Sequence, residues 1–206
     1  MVGNDVVDLH DSDASAAHYR GGFDARVFTD GERQRIERAP VRAAERWRLW
    51  AAKEASYKLA RQRDSKTIFS PKAFEVQTAP DTEVDVERVV HAASTYLVTL
   101  DATASRIHAI AVRGDNANAN IVSGVAAMAD GACSRNEGDA VRRLACDEIA
   151  KQFDLPREGL EIRKDGKLPR LYQANKRLPL SLSLSHHGSW LAFACTDSKA
   201  TLVGGA

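Results

Sequence analysis

Three groups of residues in this sequence stand out for the charged and polar side chains they bring together at short spacing. The first is Trp50-Ala51-Ala52-Lys53-Glu54-Ala55-Ser56-Tyr57-Lys58, in which Glu54 and Lys58 stand four apart and so share one face of a helix. Most such pairs are ordinary surface ion pairs; the small residues around this one, with Trp47 and Trp50 beside it, set it apart. The second is Gly3-Asn4-Asp5-Val6-Val7-Asp8, which puts a carboxylate into an apolar run. An aspartate there can be a cap or turn former, but if buried it is costly unless something pairs with it, and a hard cation shared with phosphate oxygens would do so. The third is Leu184-Ser185-His186-His187-Gly188, preceded by Asp165-Gly166-Lys167 as a hairpin turn. Adjacent strand residues point to opposite faces, and no G-x-S-x-G elbow is present, so Ser185 and His186 suit hydrogen bonding to a phosphate better than a nucleophile and its base. A histidine at a strand end is otherwise most often structural.

The elements that must position these groups follow from periodicity. Residues 2–9 read as a buried strand, and residues 24–39 as a helix whose Thr29 and Glu32 have capping-box spacing. Pro40 ends or restarts it. A long helix follows over 41–63, with Leu49, Ala52, Ser56 and Leu59 on one face and Trp47, Trp50, Glu54, Lys58 and Arg61 along the next. Strands are predicted at 73–76, 96–100 and 107–112. Residues 113–132, poor in large side chains, read as a linker. Beyond it come a helix over 136–153 and strands at 160–162, 180–184 and 190–195. The strings KLARQ, AFEV, YLVTL and SRIHAIAV in the first half parallel EIAKQ, LEIR, LSLSLS and GSWLAFAC in the second. The expected architecture is therefore α+β: two similar lobes, each a helix on a three-stranded antiparallel-type sheet, related by a pseudo-twofold axis with a cleft at the seam. The predicted division is 1–112 for the lobe carrying the two acidic groups, 113–132 for the linker, and 133–206 for the lobe carrying the Ser-His group.

Composition narrows the partners. An apolar fraction of 44% with 28% charged residues is that of a folded globular chain rather than a disordered one. The net charge of +1 supplies no global field for nucleic acid or anionic membrane. No apolar run is long enough to span a bilayer, and the acidic first residues do not resemble a signal peptide. Cys133, Cys146 and Cys195 are odd in number and widely spaced, which points to a reduced, cytoplasmic protein.

Taken together, Gly3-Asn4-Asp5, Trp50 to Lys58 and Ser183-Leu184-Ser185-His186 resemble the G-x-D, W-x-x-K-E-A/S-x-x-K and S-x-S-H strings of the 4'-phosphopantetheinyl transferase superfamily, and ARVFTDGER resembles the segment between the first two. The order differs from the long, surfactin-synthetase-associated type, in which the half bearing S-x-S-H comes first; the chain looks like that pseudo-dimer circularly permuted. It also departs from the long type at Val7, where a second acid usually stands, and Asp8 should face away from Asp5. Lys167 matches the family's Gly-Lys-Pro turn, although Leu168 intervenes before Pro169.

The resemblance implies an enzyme that moves phosphopantetheine from coenzyme A to a serine of an apo acyl or peptidyl carrier protein, releasing 3',5'-ADP. It implies Mg²⁺ held by Asp5 and Glu54, with Glu54 as the base toward the serine and Lys58 on the phosphates. Lys53, Lys167, Ser185 and His186 would hold the coenzyme, with Arg135 the nearest match for the arginine on its 3'-phosphate. The acidic carrier would dock on arginines such as Arg33, Arg35, Arg38, Arg42 and Arg46, whose alternative is a solvated helix face. A monomer with one complete site is expected. Two rival readings stand beside this one: a non-catalytic coenzyme A-binding or carrier-docking module of the same descent, and an unrelated metal-assisted phosphate hydrolase.

Overall fold

A computed structural model of the chain describes residues 1–15, 22–77, 86–116, 120–128 and 136–197. It opens on strand β1 (Gly3–Asp8), every residue of which is buried. Helices α1 (Phe23–Val27) and α2 (Asp30–Arg38) follow. The Thr29 hydroxyl accepts the Glu32 amide and the Glu32 carboxylate accepts the Thr29 amide, so the spacing read as a capping box is one. Helix α3 (Arg42–Arg63) lays its Leu49, Ala52, Ser56 and Leu59 face on the core. Strands β2 (Glu75–Gln77), β3 (Val86–His91), β4 (Ser94–Ala102) and β5 (Arg106–Arg113) complete a sheet in the order β1-β5-β4-β3-β2, all neighbours antiparallel.

The second half holds β6 (Ile121–Ala127), α4 (Glu137–Gln152), β7 (Leu160–Asp165), β8 (Leu168–Gln173), β9 (Lys176–Arg177), β10 (Leu180–His187) and β11 (Trp190–Asp197). They form two three-stranded sheets, β10-β11-β6 and β7-β8-β9. Val141, Ala145, Cys146 and Ile149 are the buried side of α4, and a separate core joins this helix to Leu182, Phe193 and Cys195.

The α+β class matches the sequence reading, with corrections. Residues 113–132 are not a linker throughout, because β6 lies within them and pairs along its whole length with β11. Its small residues serve packing: a Cβ at Gly124 would stand 2.6 Å from the Phe193 ring. The sheets also exceed three strands per lobe in the first half. Strand β3 escaped notice because Glu87 interrupts its apolar alternation, yet Glu87 is 6% exposed and paired with Arg35. Strand β8 is disguised by Pro169 and Arg170. With β6 counted, the element order repeats: a leading strand, a long helix and a set of strands, the last of which pairs antiparallel with the leading one, β5 with β1 and β11 with β6.

The halves meet where the free edge of β1 abuts the face of β10. The two strands run parallel, but side chains replace the usual carbonyl acceptors: the amides of Val2, Asn4, Val6 and Asp8 donate to Ser181 Oγ, Ser183 Oγ, Ser185 Oγ and His187 Nδ1 at 3.0–3.2 Å. A buried amide needs such a partner, and the every-second-residue spacing of LSLSLSHH supplies one per dipeptide. Ala194 and Ala192, opposite Ser183 and Ser185 in the ladder, keep that face low enough for β1 to approach. Gly3 permits the approach on the other side, since a Cβ there would overlap the Ala55 carbonyl oxygen and lie 2.9 Å from the Leu59 amide nitrogen. Among the described residues no helix is long and apolar enough to cross a membrane. Cys146 and Cys195 are buried free thiols, and Cys133 lies outside the described residues.

Candidate active site

A cleft of about 330 Å³ opens at this seam, lined by Asp5 from β1, Trp47, Trp50, Glu54 and Lys58 from α3, and Leu184 to His187 from β10. The three groups read from the sequence therefore converge. Lys58 Nζ donates to Asp5 Oδ1 at 2.8 Å and to Ser185 Oγ at 3.2 Å. Ser185 Oγ donates to the same Asp5 oxygen at 2.9 Å. Glu54 shares the cleft without a hydrogen-bond donor among the described residues, and burial, then the Asp5 charge, pushes its carboxyl from 4.5 up to about 7. Lys58 opposes that rise and does not cancel it.

Two carboxylates with excess negative charge between them fit a hard divalent cation that completes its shell with phosphate oxygens and water. Among the described residues no group of three or more His, Cys, Asp or Glu gathers, so an all-protein cage of the zinc or calcium kind does not form. Val7 points into the core and is 2% exposed. Asp8 is committed to the β10–β11 turn: Oδ2 accepts the Ser189 amide at 2.8 Å and Oδ1 the His10 amide at 2.9 Å. Neither supplies a further ligand.

Behind β1, Asn4 Nδ2 lies 3.4 Å from His108 Nε2. Burial, and next the charge of Arg106, drive His108 down to about 4, so it is a neutral imidazole at neutral pH. One wall of the cleft is aromatic: Trp50 packs against Phe23, Trp47 and Phe69, and Phe69 against Tyr57.

A second cavity, a notch of about 250 Å³ that shares His186 and Leu184 with the cleft, is lined by Gly138, Arg142, Lys164, Lys167, Pro169 and His186, over an apolar floor of Val141, Ile162 and Leu184. Its lining combines four cationic or protonatable side chains with an apolar floor. His186 Nδ1 donates to Glu137 Oε2 at 2.9 Å, which fixes the ring and leaves Nε2 without a hydrogen bond among the described residues. His187 lies on the opposite face of β10, in the seam.

Of the residues expected at the site, Asp5, Glu54, Lys58, Ser185 and His186 line the cleft and Lys167 the notch. Lys53 is not brought there. Its side chain is 0% exposed, pairs with Glu32 at 2.7 Å and donates to the carbonyls of Pro71 and Phe74. Its spacing held the signal, because Lys53 follows Leu49 by four residues and so belongs to the buried stripe. Arg135 lies outside the described residues. Arg142 was missed; it falls one helical turn beyond Gly138 on the same side of α4, and its partner Asp139 leaves it 29% exposed. Among the arginines expected to dock a carrier, Arg35 is tied to Glu45 and Glu87, Arg46 to Asp24 and Arg33 to Asp30, while Arg38 and Arg42 are exposed.

No curated protein shows a significant match to the chain. The family model for the 4'-phosphopantetheinyl transferase superfamily matches residues 1–112, which carry β1, α3 and both carboxylates of the cleft. The chain belongs to the 4'-phosphopantetheinyl transferase superfamily.

Proposed function

We propose that this protein transfers 4'-phosphopantetheine from coenzyme A to a serine of an apo acyl or peptidyl carrier protein, leaving 3',5'-ADP. The observation that carries the reading is the convergence of Asp5, Glu54 and Lys58 with Ser185 and His186 in one cleft, which shares His186 with a basic notch. In this reading the nucleotide end lies in the notch, where Arg142, Lys164, Lys167 and His186 take its phosphate and the apolar floor takes its ring. The diphosphate lies between His186 and Lys58, whose ammonium keeps one donor beyond those given to Asp5 and Ser185. Asp5 and Glu54 would hold Mg²⁺, which when bound neutralises charge on the phosphorus under attack.

Glu54 takes the proton of the carrier serine as the serine oxygen bonds to phosphorus and the bond to the 3',5'-ADP oxygen breaks. Burial raises the affinity of the Glu54 carboxyl for that proton. Trp50 and its aromatic neighbours exclude water from that side of the cleft and flank the pantetheine arm. Because both halves of the cleft belong to one chain, the unit is expected to be a monomer, and the first half supplies the acids while the second grips the coenzyme.

The test is incubation with coenzyme A, Mg²⁺ and a panel of apo carrier proteins, followed by mass spectrometry of the carriers. A mass gain at the acceptor serine is expected, lost when Glu54 is replaced. Coenzyme A binding without transfer to any carrier would refute the catalytic reading in favour of a docking module, and consumption of coenzyme A without a protein acceptor would indicate a hydrolase.

A further inference from the structure

Ser185 stands in the S-x-S-H string, and its resemblance to the family made it a hydrogen-bond donor to the nucleotide. Its surroundings assign it other work. A hydroxyl has one proton and two lone pairs. The Ser185 proton goes to Asp5 Oδ1 at 2.9 Å, and its lone pairs receive the Val6 amide and Lys58 Nζ, each at 3.2 Å. At 6% exposure the side chain has no proton left for a phosphate unless Asp5 is released.

We infer that Ser185 is a positioning residue for the reactive carboxylate, acting from the coenzyme-binding half across the seam, and not a ligand of the nucleotide. The geometry at Asp5 gives the reason. Both donors, Ser185 Oγ and Lys58 Nζ, fall on Oδ1, and Oδ2 carries no hydrogen bond among the described residues. Holding one oxygen from two directions fixes the carboxylate plane and leaves the other oxygen to face a cation. The same serine fixes Lys58 Nζ, so the acid from β1 and the cation from α3 are aligned by one atom of β10. Donors of this kind to a metal-binding carboxylate typically govern metal affinity by about 10- to 100-fold.

Ser183 provides the control. Its hydroxyl accepts the Asn4 amide at 3.0 Å, the same seam bond two residues along, and has no hydrogen bond to Asp5 or Lys58 among the described residues. Removing either hydroxyl costs β1 one amide acceptor; removing Ser185 also takes away the bonds to Asp5 and Lys58.

The inference rests on the transferase reading for its cation, and the experiment keeps the two apart. The full chain and its S185A, S185T and S183A variants are titrated with Mn²⁺ in the presence of coenzyme A, free Mn²⁺ being followed by electron paramagnetic resonance. In parallel, 3',5'-ADP is titrated calorimetrically in EDTA, and melting is recorded. S185A should lose about 10- to 100-fold in Mn²⁺ affinity and keep its affinity for 3',5'-ADP within about twofold. S185T, which restores the hydroxyl, should recover the metal affinity. S183A should lower the melting temperature as S185A does and leave both affinities in place.

A tenfold loss of 3',5'-ADP affinity in S185A with unchanged Mn²⁺ binding would overturn the inference and return Ser185 to the nucleotide. Equal loss of Mn²⁺ in S183A and S185A would overturn it in favour of a general seam effect. A wild-type chain that binds neither Mn²⁺ nor 3',5'-ADP would overturn the transferase reading itself, and the inference with it.

Discussion

Replacing Glu54 by Gln should stabilise the protein while abolishing transfer. The carboxyl is pushed from 4.5 up to about 7, first by burial and then by Asp5. Between those values the folded protein holds a proton that the unfolded chain has released. Stability from this group is therefore greatest below 4.5, declines as pH rises through the window, and reaches its full deficit above about 7. At about 1.4 kcal/mol per pH unit the deficit is about 3 kcal/mol. Glutamine keeps the volume and removes the charge, so in EDTA at pH 8 the variant should melt roughly 6 to 12 °C above wild type. At pH 4.5 the two should coincide. Melting at pH 4.5, 6, 7 and 8, with carrier modification assayed at saturating Mg²⁺, gives both halves of the test. A difference in melting that does not grow with pH would refute the electrostatic argument, and wild-type turnover in the variant would remove Glu54 from the chemistry.

Four further outcomes are expected. Lys53→Met, which leaves Glu32 buried without its cation, should cost about 3 to 5 kcal/mol in urea unfolding and leave the coenzyme A affinity of the folded protein unchanged; a tenfold fall in that affinity would put Lys53 back in the site. Arg142→Ala and His186→Ala should each weaken coenzyme A binding tenfold or more, at about 1.5 to 3 kcal/mol for a hydrogen bond to a charged group, and if the contact is to the 3'-phosphate they should narrow the preference over 3'-dephospho-coenzyme A. His108 lies depressed from 6.5 to about 4, so it contributes stability that is present above 6.5 and lost as pH falls toward 4; urea titrations at pH 7 and pH 4.5 should show a smaller acid loss in His108→Gln than in wild type. Gly3→Ala should yield insoluble protein, because the added methyl meets α3 backbone that cannot move aside, and a soluble variant with native melting would show that β1 is not held so closely.

Much was determined locally and so could be read in the sequence. The capping box at Thr29, the buried stripe of α3 and the strand alternation of LSLSLSHH follow from periodicities of 3.6 and 2 that each segment carries by itself. Glu54 and Lys58 shared a face before any fold was known, and residue chemistry marked Asp5 as a carboxylate in need of a partner. Where an element's residues are chosen by distant contacts, the signal inverts. Gly124 and the alanines of β6 looked like a linker because smallness can mean freedom or crowding, and only the Phe193 ring decides which. Glu87 hid β3 because its partners Arg35 and Arg48 come from other helices. Lys53 and Glu54 are neighbours in sequence with opposite fates, one sealed against Glu32 and one facing the cleft, and α3's packing on the sheet makes that choice. The role of Ser185 was beyond the sequence for the same reason. Type and spacing establish that a hydroxyl is offered, but its single proton goes to whichever acceptor the tertiary structure brings nearest, and here that is Asp5, 180 residues away.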